Sequence, residues 1–179
     1  MDAETHDGPP RALMIAAIVV AAGAIIGILG FAALRQASPQ QRPVAIVSVP
    51  APKADSTECR ALIDALPQQL GDYRRAAVAD PAPAGAAAWQ QADGGEPVIL
   101  RCGLDRPAEF VVGSPLQVVD PVQWFRVADE ERSTWFAVDR PVYVALTLPP
   151  ESGPTAIQTI SEAIAKSLPA KAIDPAPVS

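Results

Sequence analysis

The chain has 179 residues, 20 of them proline, and a formal net charge of −6 at neutral pH. An acidic balance without any run of Lys and Arg argues against nucleic acid as a partner, since such binders gather cations on one face. A solvated acidic surface is the plainer meaning. With a membrane segment and its flanks set aside, one domain remains, small enough that a covalent staple would help its modest core.

Residues 1–11 form an N-terminal tail that holds His6, the chain's single histidine. Residues 12–34, ALMIAAIVVAAGAIIGILGFAAL, follow without a charge between Arg11 and Arg35. At ~1.5 Å per residue this is about 35 Å of helix, enough for a ~30 Å hydrocarbon layer. A buried helix of a soluble protein is seldom apolar on every side for that length, so a transmembrane helix is expected. The stretch exceeds the apolar region of a cleaved signal peptide. That favours a retained anchor, with cleavage near Ala32, Ala33 and Ala37 as the alternative. Gly23 and Gly27 have the spacing that lets two membrane helices approach closely, although Ala/Gly-rich anchors also show it by chance. The flanking charges, Arg11 against Arg35, Arg42 and Lys53, lean towards the C-terminal part lying inside. The cysteines argue the opposite.

Residues 35–54 carry Pro39, Pro43, Pro50 and Pro52 and read as a Pro-rich, semi-rigid linker, with a short edge strand at Val44, Ile46 and Val49 as the alternative. The domain is expected over 55–170. Cys59, Leu62, Ile63, Leu66 and Leu70 make one stripe of an amphipathic helix. Ser56 caps it, Glu58 suits its positive end, and Pro67 ends or bends it. A short strand at 72–76 and a Pro/Ala/Gly loop over 79–96 holding Trp89 come next. Strand signals follow at 97–102, 109–112, 116–119, 122–127, 135–138 and 142–148. In the first of these, Val98, Leu100 and Cys102 share a face. Asp129-Glu130-Glu131-Arg132 reads as a solvated hairpin tip, without the spacing of a calcium loop. Residues 155–168 place Ile157, Ile160, Ile164 and Leu168 on one stripe, between Pro154 and Pro169. Residues 171–179 are expected to be a flexible tail. The whole is an α+β fold: one N-terminal transmembrane helix and a small, mainly antiparallel sheet with two helices on one face. The other face is where binding is expected.

Cys59 and Cys102 both point into the core between helix and sheet. A structural disulfide is the expected state; reduced thiols, a metal pair and a redox centre are the competing readings. No histidine accompanies the two, and they lack the Cys-x-x-Cys spacing of a thiol oxidoreductase. Disulfides persist in oxidising compartments, so the domain is expected to be extracytoplasmic.

With His6 in the tail, the domain lacks the histidine that Ser-His-Asp, Cys-His or His-ligated zinc chemistry needs. Nucleotide-binding loops and the G-x-S-x-G elbow are missing too. No catalytic residue, metal or cofactor is therefore assigned. A hydrolase working through carboxylates alone stays open, with Asp105, Glu109, Asp120 and Asp139 nominally available. Trp124-Phe125 and Trp135-Phe136 must each send one ring inward and one outward. Outward aromatics beside arginines are common at interfaces, so Trp124, Trp135, Arg101 and Arg140 form the candidate interaction surface. Packing on the second sheet face, with a turn at Asp139-Arg140, is the plainer alternative.

Two blocks also carry a family likeness. Pro97-Val98-Ile99-Leu100-Arg101-Cys102-Gly103-Leu104 is one. Val122-Gln123-Trp124-Phe125 followed by Trp135-Phe136-Ala137-Val138-Asp139-Arg140-Pro141-Val142-Tyr143-Val144 is the other. With the apolar segment and the Cys59 helix, they resemble an uncharacterised family of membrane-anchored or secreted actinobacterial proteins, a domain of unknown function. The likeness covers most of residues 55–169. It implies an envelope location and brings no assigned site residues. The family's frequent glycine before Trp-Phe is here Asp120-Pro121, so that turn is expected to differ in type. The functional expectation is a membrane-anchored envelope protein acting as a non-enzymatic binding or accessory module for a protein or envelope component. The carboxylate hydrolase and a structural or assembly role are the alternatives.

Overall fold

The computed structural model describes residues 11–35, 42–128, 132–150 and 152–178. His6 and the expected hairpin tip at 129–131 lie outside them. The chain divides into two compact units, Met1–Pro39 and Gln40–Ser179.

The first unit is the helix α1, Arg11–Arg35. Residues 12–34 hold no proline and no charge, so nothing interrupts the backbone ladder. Its side chains are described at 14–16 and 18–28, and all of these are exposed. Among the described residues, no helix is long and apolar enough to cross a membrane. A Cβ added at Gly23 or Gly27 would meet nothing within 4 Å, so this side of α1 is open.

The second unit begins its regular structure with α2, Thr57–Ala65. The expected cap is present: Cys59 N–H donates to Ser56 Oγ at 3.1 Å. Eight strands follow among the described residues: β1 Gln69–Leu70, β2 Tyr73–Ala76, β3 Ala86–Gln91, β4 Gly94–Leu104, β5 Leu116–Val119, β6 Val122–Ala128, β7 Ser133–Ala137 and β8 Tyr143–Leu148. They form one antiparallel sheet in the order β1-β2-β3-β4-β8-β7-β6-β5. Two meanders, β1 to β4 and β5 to β8, are thus joined edge to edge where Leu100 faces Leu146 and Cys102 faces Val144. The closing helix α3, Thr155–Ser167, lies with α2 on one face.

That face holds the main core. Leu62 and Leu66 of the α2 region, Ile160 and Ile164 of α3, and Trp89, Leu100, Trp124, Val144 and Leu146 of the sheet all meet there. The stripes read from periodicity are the buried ones: Leu62 and Cys59 in α2, Ile157, Ile160 and Ile164 in α3.

Three expectations need correction. The loop expected over 79–96 contains β3 and the start of β4. Ala86-Ala87-Ala88 has weak strand propensity, and pairing with Leu100 and Ile99 overrides it. The strand expected at 109–112 is instead a turn around the buried Phe110, touching Ala176 through one parallel bridge at Val111. The linker expected over 35–54 is shorter than that. Val44 and Ile46 are buried against Ala76, Ala88 and Ile99 on the face away from the helices, and Val44 bonds Ala77 and Ala79 through its backbone. Apolar side chains on the minority edge-strand pattern prevail here over the proline content.

The tail, too, is docked. Lys171 N–H donates to Asp139 O, Val112 N–H to Ala176 O, and Ala176 N–H to Phe110 O. Arg106 donates to the Asp174 carbonyl and carboxylate at 3.1 and 3.4 Å. Together with residues 105–115, the tail occupies the second face beside a small core of Phe110, Phe125 and Val138.

The incoming segment 42–54 crosses the sheet at Gly103. Lys53 N–H donates to Gly103 O, and a Cβ at Gly103, whose φ is +88°, would collide with the Lys53 and Ala54 backbone. Gly103→Ala should therefore lose about 1–3 kcal/mol in a urea unfolding titration. A loss no larger than that of an exposed surface substitution would show that the segment is not pinned there.

Candidate functional site

The disulfide Cys59–Cys102 is formed, with a Cα–Cα distance of 5.6 Å and a separation of 43 residues. Both cysteines are fully buried. Period-two alternation had placed Cys102 beside Leu100 on the helix side of β4, which is where α2 presents Cys59.

The aromatic pairs divide between the two faces, with the tryptophans on the helix side. Trp124 is 0% exposed; its indole N–H donates to Ser161 Oγ of α3 at 3.0 Å, and that hydroxyl donates to Ile157 O at 2.8 Å. Trp135 faces Leu146 of β8 and packs half-buried on the main core. The Arg126 guanidinium lies 5.4 Å from its ring centroid and is held by two bonds to Ser133 Oγ. Phe125 and Phe136 turn to the other face, where Phe125 meets Phe110 at 5.3 Å. Trp124 is therefore a core residue and offers a partner nothing.

Arg140 is likewise not a surface residue. Its Nη1 lies 3.1 Å from Asp139 Oδ2 in a buried ion pair, and its guanidinium also donates to Asp139 O at 2.9 Å and Pro121 O at 2.8 Å. These bonds tie the β7–β8 turn to the β5–β6 turn, where Asp120 adopts a φ of +49°. Here a non-glycine residue takes the left-handed turn position, as asparagine and aspartate do most readily. Asp139 Oδ1 and Arg140 Nε are buried without a hydrogen-bond partner among the described residues.

Arg101 stands apart on the second face, between Ala86 of β3 and Ala145 of β8. Its Nη2 donates weakly to Val47 O at 3.4 Å, and its buried Nε has no partner among the described residues. Burial pushes this guanidinium's pKa down. The four expected surface residues thus occupy three separate places.

The four candidate acids are spread over three connections. Asp105 and Glu109 are exposed in the β4–β5 connection, Asp120 is exposed in the β5–β6 turn, and Asp139 is buried against Arg140. Among the described residues, no group of three or more His, Cys, Asp or Glu side chains is placed to hold a metal ion.

A different constellation does line a concavity. At one corner of the sheet, a groove of about 430 Å³ is bounded by Gln69, Asp72 and Arg74 of the β1–β2 hairpin and Gln91, Ala92 and Asp93 of the β3–β4 hairpin. Alternation explains its polarity. Leu70 and Tyr73 pair with each other and enter the main core, so their neighbours Gln69 and Arg74, also paired, face away from the helices. Gln69 Nε2 donates to Gly71 O at 2.7 Å, which shapes the turn. Among the described residues, Asp72, Arg74 and Asp93 have no ion-pair partner. The sequence reading missed this groove because β3 passed for a loop. Its one signal was the recurrence of Gln and Asp around two Gly-containing turns.

The architecture defines a disulfide-stapled α+β domain: an antiparallel sheet backed by two helices, with chain segments covering its second face. The chain belongs to DUF3515, a family of proteins of unknown function, whose family model matches residues 18–173. No curated protein and no solved structure matches it.

Removing one partner of the buried ion pair leaves a charge without compensation. Arg140→Ala should cost about 3–5 kcal/mol, read by thermal or denaturant unfolding. Tyr143 supplies a pH test. Burial first, then the Asp174 carboxylate, hold its phenol above the ordinary value, against a downward pull from Arg106. Its contribution to stability is therefore present below the ordinary tyrosine range and lost as pH rises through the raised value. Tyr143→Phe should flatten that part of the alkaline stability profile.

Proposed function

We propose that this chain is a single-pass membrane protein of the cell envelope. In this reading α1 is the anchor, and the stapled domain lies outside the cytoplasm as a non-enzymatic binding or accessory module for a protein or envelope component. The observation that carries it is the buried Cys59–Cys102 bond, because such bonds persist in oxidising compartments. The uncharged stretch between Arg11 and Arg35 supports the anchor. The flanking charges Arg35, Arg42 and Lys53 pull the other way. A structural disulfide outweighs a margin of one or two charges, since in a reducing compartment its two thiols would not stay joined.

The binding role is supported by what the polar side chains are doing. Asp139 and Arg140 are spent on each other and on turn carbonyls. Asp72, Arg74 and Asp93 line a concavity instead. Neutral ligands or lightly charged ones suit that mixture better than polyanions.

Intact cells treated with a membrane-impermeant thiol reagent should label the chain only after reduction, and a non-reducing mass should be two hydrogens below the dithiol value. Labelling that needs permeabilised cells, with both thiols free, would put the domain in the cytoplasm and overturn the proposal.

A further inference from the structure

We propose that the groove between the β1–β2 and β3–β4 hairpins binds a neutral, hydroxyl-rich oligosaccharide; this names the ligand class for the binding role above and rests on it. Four observations carry the assignment. The groove's volume of about 430 Å³ falls within the ~300–1,000 Å³ of small-ligand sites, room for a few linked sugar rings.

Its lining is polar in a particular way. Two carboxylates, two primary amides and one guanidinium are present, with Ala92 as the one apolar side chain. Carboxylates accept hydrogen bonds, guanidinium groups donate them, and amides do both. All five end in planar groups with two polar atoms side by side, which suits adjacent hydroxyls that each donate and accept. The carbon stems of Gln69, Arg74 and Gln91 lie between these groups, an apolar surface that the C–H faces of a sugar ring can cover.

The charges nearly balance. Asp72 and Asp93 face one cation, Arg74, so the field neither recruits a polyanion nor favours a strongly cationic chain. The site is also stiff at its base. Both hairpins are paired strands, with Gln69 opposite Arg74, Arg74 opposite Gln90 and Gln91 opposite Gly94. Tyr73 and Trp89 of the same strands turn into the main core. The groove therefore recognises by hydrogen bonding, without ring stacking.

The test uses the full chain in detergent micelles, titrated calorimetrically with chitotriose, maltotriose and mannotriose, each with and without EDTA. At least one should bind saturably, unaffected by EDTA. Asp72→Ala and Asp93→Ala should each weaken that binding tenfold or more. Both residues are exposed, so the variants' melting temperatures should stay at the parent value, and Glu162→Ala, an exposed acid of α3 that is not in the groove lining, should bind like the parent. Three outcomes overturn the inference: no binding of any of the three at several millimolar, binding indifferent to Asp72 and Asp93, or binding abolished by EDTA, which would make the groove a cation site. Thiol labelling separates the two readings. An external domain that binds no sugar loses this inference alone. A cytoplasmic domain that still binds through Asp72 and Asp93 loses the envelope assignment alone.

Discussion

The second unit depends on the covalent link between Cys59 and Cys102. Cys102 lies on β4, the eleven-residue strand that pairs with β3 on one side and β8 on the other. The two meanders meet at that strand. Cys59 belongs to a helix of nine residues, too short to be stable alone. The bond therefore fixes a marginal helix to one of the two strands at which the halves of the sheet meet. Closing a loop of this length removes about 4 kcal/mol of chain freedom from the unfolded state on the entropy model. That is a large share of the ~5–15 kcal/mol by which a domain is stable. The neighbouring Gly103 lets the incoming backbone cross the same strand, so helix, sheet and entering chain are joined within two residues.

A sheet of this width has two apolar faces, and two helices cover only one. The second is covered by chain that carries little regular structure. Val44 and Ile46 sit over Ala76, Ala88 and Ile99, while the β4–β5 connection contributes Phe110 to Phe125 and Val138. Backbone bonds to the last residues of the chain complete that half. Proline suits such covers, because they need extended backbone and few ladder bonds. Arg101 lies on the same face, its buried Nε without a hydrogen-bond partner among the described residues.

Polar side chains sort by the same geometry. Most of the polar bonds that enter the core are internal: the Trp89 indole to Pro67 O, the Trp124 indole to Ser161, and Arg140 to Asp139 and Pro121 O, with Asp139 Oδ1 and Arg140 Nε left over among the described residues. At the β1 corner, Asp72, Arg74 and Asp93 are exposed and have no ion pair among the described residues. Those internal bonds explain the fold. Polar groups gathered around a concavity without such partners are where a ligand has something to bond.

Elements with strong periodicity were legible in the chain alone. The apolar stretch before Arg35, the Cys59 and Ile160 stripes, the alternation of Val142 to Leu148 and the inward aim of both cysteines follow from local spacing, because periods of 3.6 and 2 decide which side chains share a face. The α+β class and the disulfide came from those signals. The sequence could not say which member of each Trp-Phe pair faces the helices, since alternation sets relative and not absolute direction. Pairing with β8 and contact with Ser161 decided it, and removed Trp124 from the surface. Nor could it show that Ala86-Ala87-Ala88 is a strand, or that two proline-rich segments are covers, because weak local preferences yield to partners distant in the chain. The groove belongs to the same class: Gln69, Asp72 and Arg74 lie some twenty residues from Gln91 and Asp93, and strand pairing alone brings the two hairpins together.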